Sequence, residues 1–152
     1  MKKKIALIVI LAILIIIQFF PASKNQSTEL LASDITKVTT VPDDVLQVLK
    51  AACYDCHSNN TVYPWYNNIQ PVAWWLNRHV EEGKEHLNFS TFGEYTSEKA
   101  AKKMRGIARE VEKGDMPLTS YTLIHRNAVL NETQKQAVIN WTKSAVIASL
   151  AH

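Results

Sequence analysis

The sequence predicts an all-α domain of about four helices that follows a hydrophobic N-terminal helix. Three observations lead to this prediction. Four segments carry apolar residues at helical spacing, no segment shows sustained apolar–polar alternation, and residues 5–20 are apolar apart from Gln18. The chain of 152 residues is about one domain long. We therefore divide it into an anchor over 1–21, a linker over 22–42 and a folded domain over 43–152.

The N-terminal segment has the layout of an export signal, because three lysines at positions 2–4 precede the apolar run. The run is just short of the ~17–25 residues of a membrane-spanning helix. Cleavage after Ala22 or after Ser23 would leave no small residue at position −3, so we favour an uncleaved, single-pass anchor over a cleaved signal peptide. The lysines predict that the N-terminus stays in the cytoplasm while the remaining chain is exported.

The charge of the exported part gives no reason to expect a nucleic-acid partner. The formal net charge of +3 is accounted for by the three lysines of the export signal. The remaining 14 basic residues match the 14 acidic residues. The basic pI of the chain therefore reflects targeting and does not indicate binding to a polyanion.

The linker and the first helix meet at Pro42. Residues 22–42 are mostly polar and lack helical periodicity, so we expect a tether that lifts the domain off the membrane. The negative charges of Asp43 and Asp44 suit a helix N-terminus. The helix that begins there has an apolar face and ends at Cys53.

Three further helices are predicted from periodicity and from end signals. The second begins near Pro71. The third ends at Lys113, where Gly114 fits the position that follows a helix C-terminus. The fourth begins at Asn131, and Gln134 stands in the partner position of a capping box.

The two cysteines of the chain belong to a Cys-x-x-Cys-His motif, formed by Cys53, Cys56 and His57. Two thiols at this spacing lie on one helical turn, where they can form thioethers with two vinyl groups along one porphyrin edge. The histidine that follows is placed to be the proximal iron ligand. The motif predicts one covalently attached haem c per chain.

Other interpretations of the motif fit the surrounding sequence less well. A disulfide oxidoreductase places its cysteines at a helix N-terminus within a βαβ pattern, whereas this motif ends a helix. A structural zinc site needs a second pair of ligands, and the chain has no further cysteine. An unmodified dithiol or a disulfide remains the alternative, since the domain is predicted to lie in an oxidising compartment.

The sixth ligand of the iron is predicted to be Met116, which stands between Asp115 and Pro117 in a loop. A thioether ligand raises the reduction potential of haem iron and suits electron transfer. His79, on the apolar face of the second helix, is the alternative, and an open position is another. The other histidines are predicted to be solvated (His86), packed beside the haem (His125) or terminal and mobile (His152). Six aromatic residues are candidates to line the porphyrin: Tyr63, Trp65, Tyr66, Trp74, Trp75 and Tyr121.

Several stretches of the sequence resemble the haem-binding domain family of small membrane-anchored bacterial proteins. The resemblance covers about residues 43–143. It is carried by Cys-Tyr-Asp-Cys-His-Ser-Asn-Asn-Thr (53–61), Tyr-Pro-Trp-Tyr (63–66), Ile-Gln-Pro-Val-Ala-Trp-Trp-Leu (69–76), His-Val-Glu-Glu-Gly (79–83), Leu-Asn-Phe-Ser (87–90), Gly-Asp-Met-Pro-Leu-Thr-Ser-Tyr (114–121) and Ile-Asn-Trp (139–141). It implies haem c binding at Cys53, Cys56 and His57, and a domain in the periplasm, anchored in the bacterial inner membrane.

A looser likeness links the chain to class I cytochromes c, which also run from a helix ending in Cys-x-x-Cys-His, through a methionine loop, to a C-terminal helix. The likeness implies a cytochrome c-like bundle around the haem. We expect a membrane-tethered single-haem electron carrier with a redox protein partner, more plausibly than an enzyme. The alternative is a haem enzyme or sensor, such as a peroxidase or a binder of diatomic gases, with an open or displaceable sixth position.

Overall fold

The computed structural model describes residues 1–150, with side chains up to Val146. Within these residues the regular structure is helical apart from one isolated β-bridge between Gln26 and Asn60, which confirms the predicted all-α class. The α-helices of this part of the chain are α1 (Lys2–Ile16), α2 (Ile35–Val38), α3 (Asp43–Ala52), α4 (Tyr54–His57), α5 (Val72–His86), α6 (Ser97–Lys113), α7 (Thr119–Thr122) and α8 (Glu132–Leu150). Shorter 3₁₀ segments cover Ile17–Phe19, Trp65–Asn68, Phe89–Glu94 and Arg126–Ala128.

The four long helices of the domain, α3, α5, α6 and α8, are those that the sequence predicts. Their ends carry the expected caps. At the start of α6 the Thr96 side chain accepts a hydrogen bond from the Lys99 amide, and the helix closes at Gly114, which adopts φ 78°. At the start of α8 the Asn131 amide donates to the Gln134 side chain at 3.0 Å, and the Gln134 amide donates back to the Asn131 side chain at 2.9 Å.

The hydrophobic core lies where α6 packs along α8 and α3 packs against α8. Full burial of a side chain such as Leu49 contributes about 1.5–3 kcal/mol to stability. The Trp141 indole donates a hydrogen bond to the Thr40 carbonyl at 3.0 Å, so its polar group is satisfied at the edge of the core. The cluster of buried residues contains Ile35, Val45, Val48, Leu49, Phe89, Phe92, Met104, Val111, Val138, Ile139 and Trp141.

Helix α5 lies outside this core and packs against α4 and the Trp65–Asn68 segment. It buries Ala73 and Val80 and leaves most of its other side chains at least partly exposed. The short helix α4, which carries the second cysteine and the histidine of the motif, therefore lies between α5 and the Phe89–Glu94 segment.

The N-terminal apolar run forms α1, which ends at Ile16, and a 3₁₀ turn at Ile17–Phe19. The sequence predicts a single-pass anchor over residues 1–21. Among the described residues, no helix combines the length and the apolar character needed to cross a membrane.

The expectation that residues 22–42 form a tether is corrected at Asn25, which binds to the loop that follows the motif. Its side-chain amide donates to the Ser58 carbonyl at 2.8 Å and to the Thr61 hydroxyl at 2.9 Å. Its side-chain oxygen accepts from Lys84 on α5 at 2.6 Å, and its backbone amide donates to the Tyr63 hydroxyl at 2.8 Å. A residue held by four such bonds is part of the folded domain.

A second part of the same segment enters the core. Ile35, the first residue of α2, is completely buried, and the Gly93 amide donates to the Ser33 carbonyl at 2.8 Å. A Cβ atom on Gly93 would lie 2.8 Å from Val38, so the glycine allows this close packing. These partners lie far away in the sequence, which is why polar composition alone indicated a free linker.

Candidate haem site

The two cysteines lie on either side of a helix boundary. Cys53 ends α3, and its backbone leaves helical geometry at φ −127° before α4 begins at Tyr54. The amides of Cys56 and His57 donate to the Cys53 carbonyl at 3.2 and 2.9 Å, which closes one turn. The structure therefore brings the three predicted attachment residues together, and both cysteines are free thiols rather than a disulfide.

The His57 ring is held through its Nδ1 atom. Nδ1 lies 2.9 Å from the Gly83 carbonyl and 3.0 Å from the Leu87 carbonyl, both at the C-terminal end of α5. Since carbonyl oxygens only accept, Nδ1 carries the proton, and the free lone pair of the neutral ring lies on Nε2. Metal-binding histidines commonly donate their second ring N–H to such an acceptor, which fixes the tautomer and the ring orientation.

Burial favours the neutral form of His57. Desolvation lowers the pKa of the imidazole below its usual value, and the two backbone hydrogen bonds oppose this only in part. The ring also meets the edge of Phe89, with the ring centres 6.3 Å apart. Nε2 has no hydrogen-bond partner among the described residues. The side chain is thus prepared to coordinate a metal without losing another interaction.

Gly83 allows α5 to approach the motif. A Cβ atom at this position would lie 2.6 Å from the Cys56 carbonyl oxygen and 3.1 Å from its Cβ. The same residue supplies one of the carbonyls that hold His57. The sequence alone did not indicate this role of Gly83 in the site. A glycine inside a helix was the available signal, because such a residue commonly marks a close contact.

Both thiols are protonated at neutral pH. Burial, with a smaller effect of the neighbouring thiol, raises the pKa of Cys53 to about 12. Burial, with a smaller effect of the Asp55 carboxylate, raises the pKa of Cys56 to about 11. Cysteines of this kind are poor nucleophiles in the folded protein, which distinguishes them from the activated cysteine of a thiol oxidoreductase.

The two residues between the cysteines have separate roles. The Tyr54 ring stacks on Phe89 with the ring centres 5.2 Å apart, and its buried hydroxyl lacks a hydrogen-bond partner within the described part of the chain. The Asp55 carboxylate accepts from the Tyr121 hydroxyl at 2.7 Å and from the Val62 amide at 3.0 Å. The Asp55 carbonyl accepts from the Thr61 hydroxyl at 2.6 Å, so this residue joins both the following loop and the distant Tyr121 to the motif.

The structure places the predicted ligand Met116 in the loop between α6 and α7. Its side chain is partly buried, and its amide donates to the Glu110 carbonyl at the end of α6. The loop reaches the motif through Tyr121 and its bond to Asp55. Burial and this bond raise the pKa of Tyr121, so its hydroxyl remains a neutral donor. The role of Met116 as a ligand stays a prediction.

The histidines of the domain have different surroundings. On α5, the His79 Nδ1 atom bonds to the Trp75 carbonyl at 2.8 Å, with the two ring centres 4.3 Å apart. The His125 ring stacks on Tyr121 at 4.2 Å and its Nε2 bonds to the Tyr66 hydroxyl at 3.3 Å. The exposed His86 ends α5. His152 lies outside the described residues.

Large apolar side chains are exposed on the loops beside the motif. Trp65, on the segment that follows the motif, is 75% exposed. On the loop beyond Tyr121, Leu123 and Ile124 are also exposed. Exposed apolar surface of this kind marks a binding site for a large apolar group. Together with two free thiols and a histidine whose Nε2 is unpaired, it fits a haem.

This fold and donor set define a helical haem-binding protein. A comparison with known families agrees: the chain belongs to the haem-binding domain family, whose members match residues 12–144. The match includes residues 22–42, in agreement with their packing against the domain. No curated protein and no solved structure matches the chain.

Proposed function

We propose that the chain attaches one haem c through thioethers at Cys53 and Cys56, with His57 as the axial ligand, and serves as a single-haem electron-transfer protein. The observation that carries this proposal is the orientation of His57. Its Nδ1 proton is donated to two carbonyls beside two free thiols, and its Nε2 is left for iron. A haem bound there supplies an iron that gains and loses one electron.

The residues of the chain hold and tune that group. The two cysteines fix it covalently to one helical turn, so a small domain does not lose it. The carbonyls of Gly83 and Leu87 accept from His57, which makes the ring a more basic ligand and keeps it in one orientation. Exposed side chains of the neighbouring loops, among them Trp65, Leu123 and Ile124, would cover the porphyrin and exclude water from it.

Met116 is supported over His79 as the sixth ligand by the direction of the His57 ring. The Nδ1 atom faces the end of α5, so Nε2, on the other side of the ring, points away from that helix. His79 lies on α5, one turn before Gly83. The loop that carries Met116 approaches the motif from a different element, through the bond between Tyr121 and Asp55.

The N-terminal segment is proposed to hold the domain at the outer face of the bacterial inner membrane. Lysines at positions 2–4 followed by an exposed apolar helix support this placement. In that position the haem would exchange electrons with a redox protein partner.

Covalent attachment is tested by haem staining after denaturing electrophoresis. The unmodified protein should retain the stain, and the double variant Cys53→Ala, Cys56→Ala should lose it. Each single variant should keep a single thioether, with a shifted pyridine haemochrome band. Retention of the stain in the double variant would rule out attachment at this motif.

The electron-transfer role is tested by the visible and near-infrared spectra of the oxidised protein. We expect a low-spin spectrum with a methionine-to-iron charge-transfer band that Met116→Ala abolishes. His79→Ala is the matched control and should keep the band. A high-spin spectrum of the unmodified protein, with rapid binding of carbon monoxide after reduction, would instead indicate the enzyme or sensor with an open position.

A further inference from the structure

The end of the apolar N-terminal segment is fastened to the start of α5. The Gln18 side chain forms two hydrogen bonds with the backbone of Gln70, donating to its carbonyl at 3.1 Å and accepting from its amide at 3.0 Å. The Trp74 indole donates to the Phe20 carbonyl at 2.8 Å. The direction in which the chain leaves α1 is therefore fixed relative to α5.

The exposed surface of α5 changes from apolar to charged along its length. At the end near α1, Ile69, Val72, Trp74 and Trp75 are 45%, 39%, 40% and 49% exposed. The exposed residues of the second half are polar or charged, and they include Arg78, Glu81, Glu82, Glu85 and His86. One end of the helix is thus suited to an apolar medium and the other end to water.

Helix α1 continues the apolar surface. Its side chains from Ile5 to Ile16 are exposed, and the first acidic residue of the chain is Glu29. The surface of α1 meets the start of α5 at the contact between Gln18 and Gln70. Because the apolar surfaces of α1 and of the start of α5 are joined in a fixed arrangement, we expect both to contact the same partner.

We propose that residues Ile69–Trp75 form a lipid-contact surface that seats the haem domain on the bilayer to which α1 attaches. Trp74 has the amphipathic character of tryptophans at membrane interfaces, since its N–H group is bonded and its ring remains exposed. The apolar residues enter the boundary between headgroups and acyl chains, while the charged half of α5 stays in water. This inference rests on the membrane attachment in the proposed function.

The test is photolabelling of the full-length, haem-loaded protein by a diazirine phospholipid. The vesicles consist of phosphatidylethanolamine and phosphatidylglycerol, and mass spectrometry locates the label. We expect label in residues 5–16 and in Ile69–Trp75, with severalfold less label in Arg78–His86 of the same helix. Label confined to 5–16 would overturn the lipid-contact surface but leave the attachment intact, whereas absence of label from both segments would contradict both.

A pair of glutamine variants tests the role of the contact itself. Gln18→Ala removes both bonds to Gln70, and it should reduce the label in Ile69–Trp75 while the label in residues 5–16 persists. Gln47→Ala, at an exposed position on α3, is the matched control and should change neither. Equal label over the whole of α5 would show that α5 has no lipid-facing end. No effect of Gln18→Ala would show that the contact with Gln70 does not hold this surface at the bilayer.

Discussion

Replacing Gly83 with alanine tests whether the close approach of α5 orients His57. The added methyl would lie 2.6 Å from the Cys56 carbonyl oxygen, whereas ordinary contacts begin at 3.4 Å, so α5 and α4 must separate by about 0.8 Å. The bonds from the His57 Nδ1 atom, now 2.9 and 3.0 Å, would then reach about 3.7 and about 3.8 Å, which is beyond hydrogen-bonding range.

The expected loss of stability follows from these distances. Two lost hydrogen bonds cost about 1–3 kcal/mol. Strain from overpacking costs about 1–3 kcal/mol more, and the higher helix propensity of alanine offsets about 1 kcal/mol. We expect the free energy of unfolding to fall by about 1–5 kcal/mol.

The same change should raise the reduction potential of the haem. The bonds to Nδ1 make the imidazole a more basic ligand, which favours ferric iron, so their loss favours the ferrous form. For a one-electron couple the shift is about 40 mV for each kcal/mol of lost preference. Spectroelectrochemistry gives the potential, and denaturant unfolding gives the stability.

Gly106→Ala is the matched control, because Gly106 lies within α6 and a Cβ atom there would meet nothing within 4 Å. This variant should keep the potential and gain up to about 1 kcal/mol from helix propensity. If Gly83→Ala behaved in the same way, the contact with Cys56 would not be what orients His57.

Three further predictions concern the loops and the thiols of the site. Tyr121→Phe removes the hydroxyl that binds Asp55, so the free energy of unfolding should fall by about 1.5–3 kcal/mol. Carbon monoxide should also bind the reduced haem faster. An unchanged rate of binding would show that this bond does not hold the Met116 loop at the haem. Asn25→Ala should destabilise the domain by about 1–3 kcal/mol in denaturant unfolding. Asn140→Ala, at an exposed position, is the control and should not. Equal stabilities of the two variants would indicate that residues 22–42 are a free tether. In folded protein made without haem, the pKa of Cys56 near 11 leaves about a thousandth of the thiol ionised at pH 8, against about a quarter for a free cysteine. Its alkylation should therefore be slow at pH 8 and accelerate up to about pH 11, and fast alkylation at pH 8 would contradict the burial.

The long helices were predictable from the sequence because their ends depend on neighbouring residues. Gly114 closes α6 by its own backbone conformation, and the pair Asn131 and Gln134 caps α8 across one turn. The Cys-x-x-Cys-His spacing is local in the same sense, so the placement of both thiols and the histidine on one turn also followed from the sequence.

Features that depend on distant residues did not follow from the sequence. Ile35 is buried by elements later in the chain, so the polar residues around it indicated a linker. The carbonyls that hold His57 come from another helix. Every residue has a backbone carbonyl, so residue type does not indicate which carbonyls accept from the histidine. Asp55 occupies a variable position of the motif pattern, and its role becomes evident only when Tyr121 lies beside it.

The bonds of Asp55 also constrain the order of events during the maturation of the protein. Its partners Thr61, Val62 and Tyr121 all follow the motif in the chain, and so are synthesised after it. In the structure that they close, both neighbouring thiols are only partly exposed, and their raised pKa values keep them protonated. Under the proposed attachment, the maturation machinery therefore meets a chain that is still open. On the same proposal, the loops would close on Asp55 only after the addition of haem.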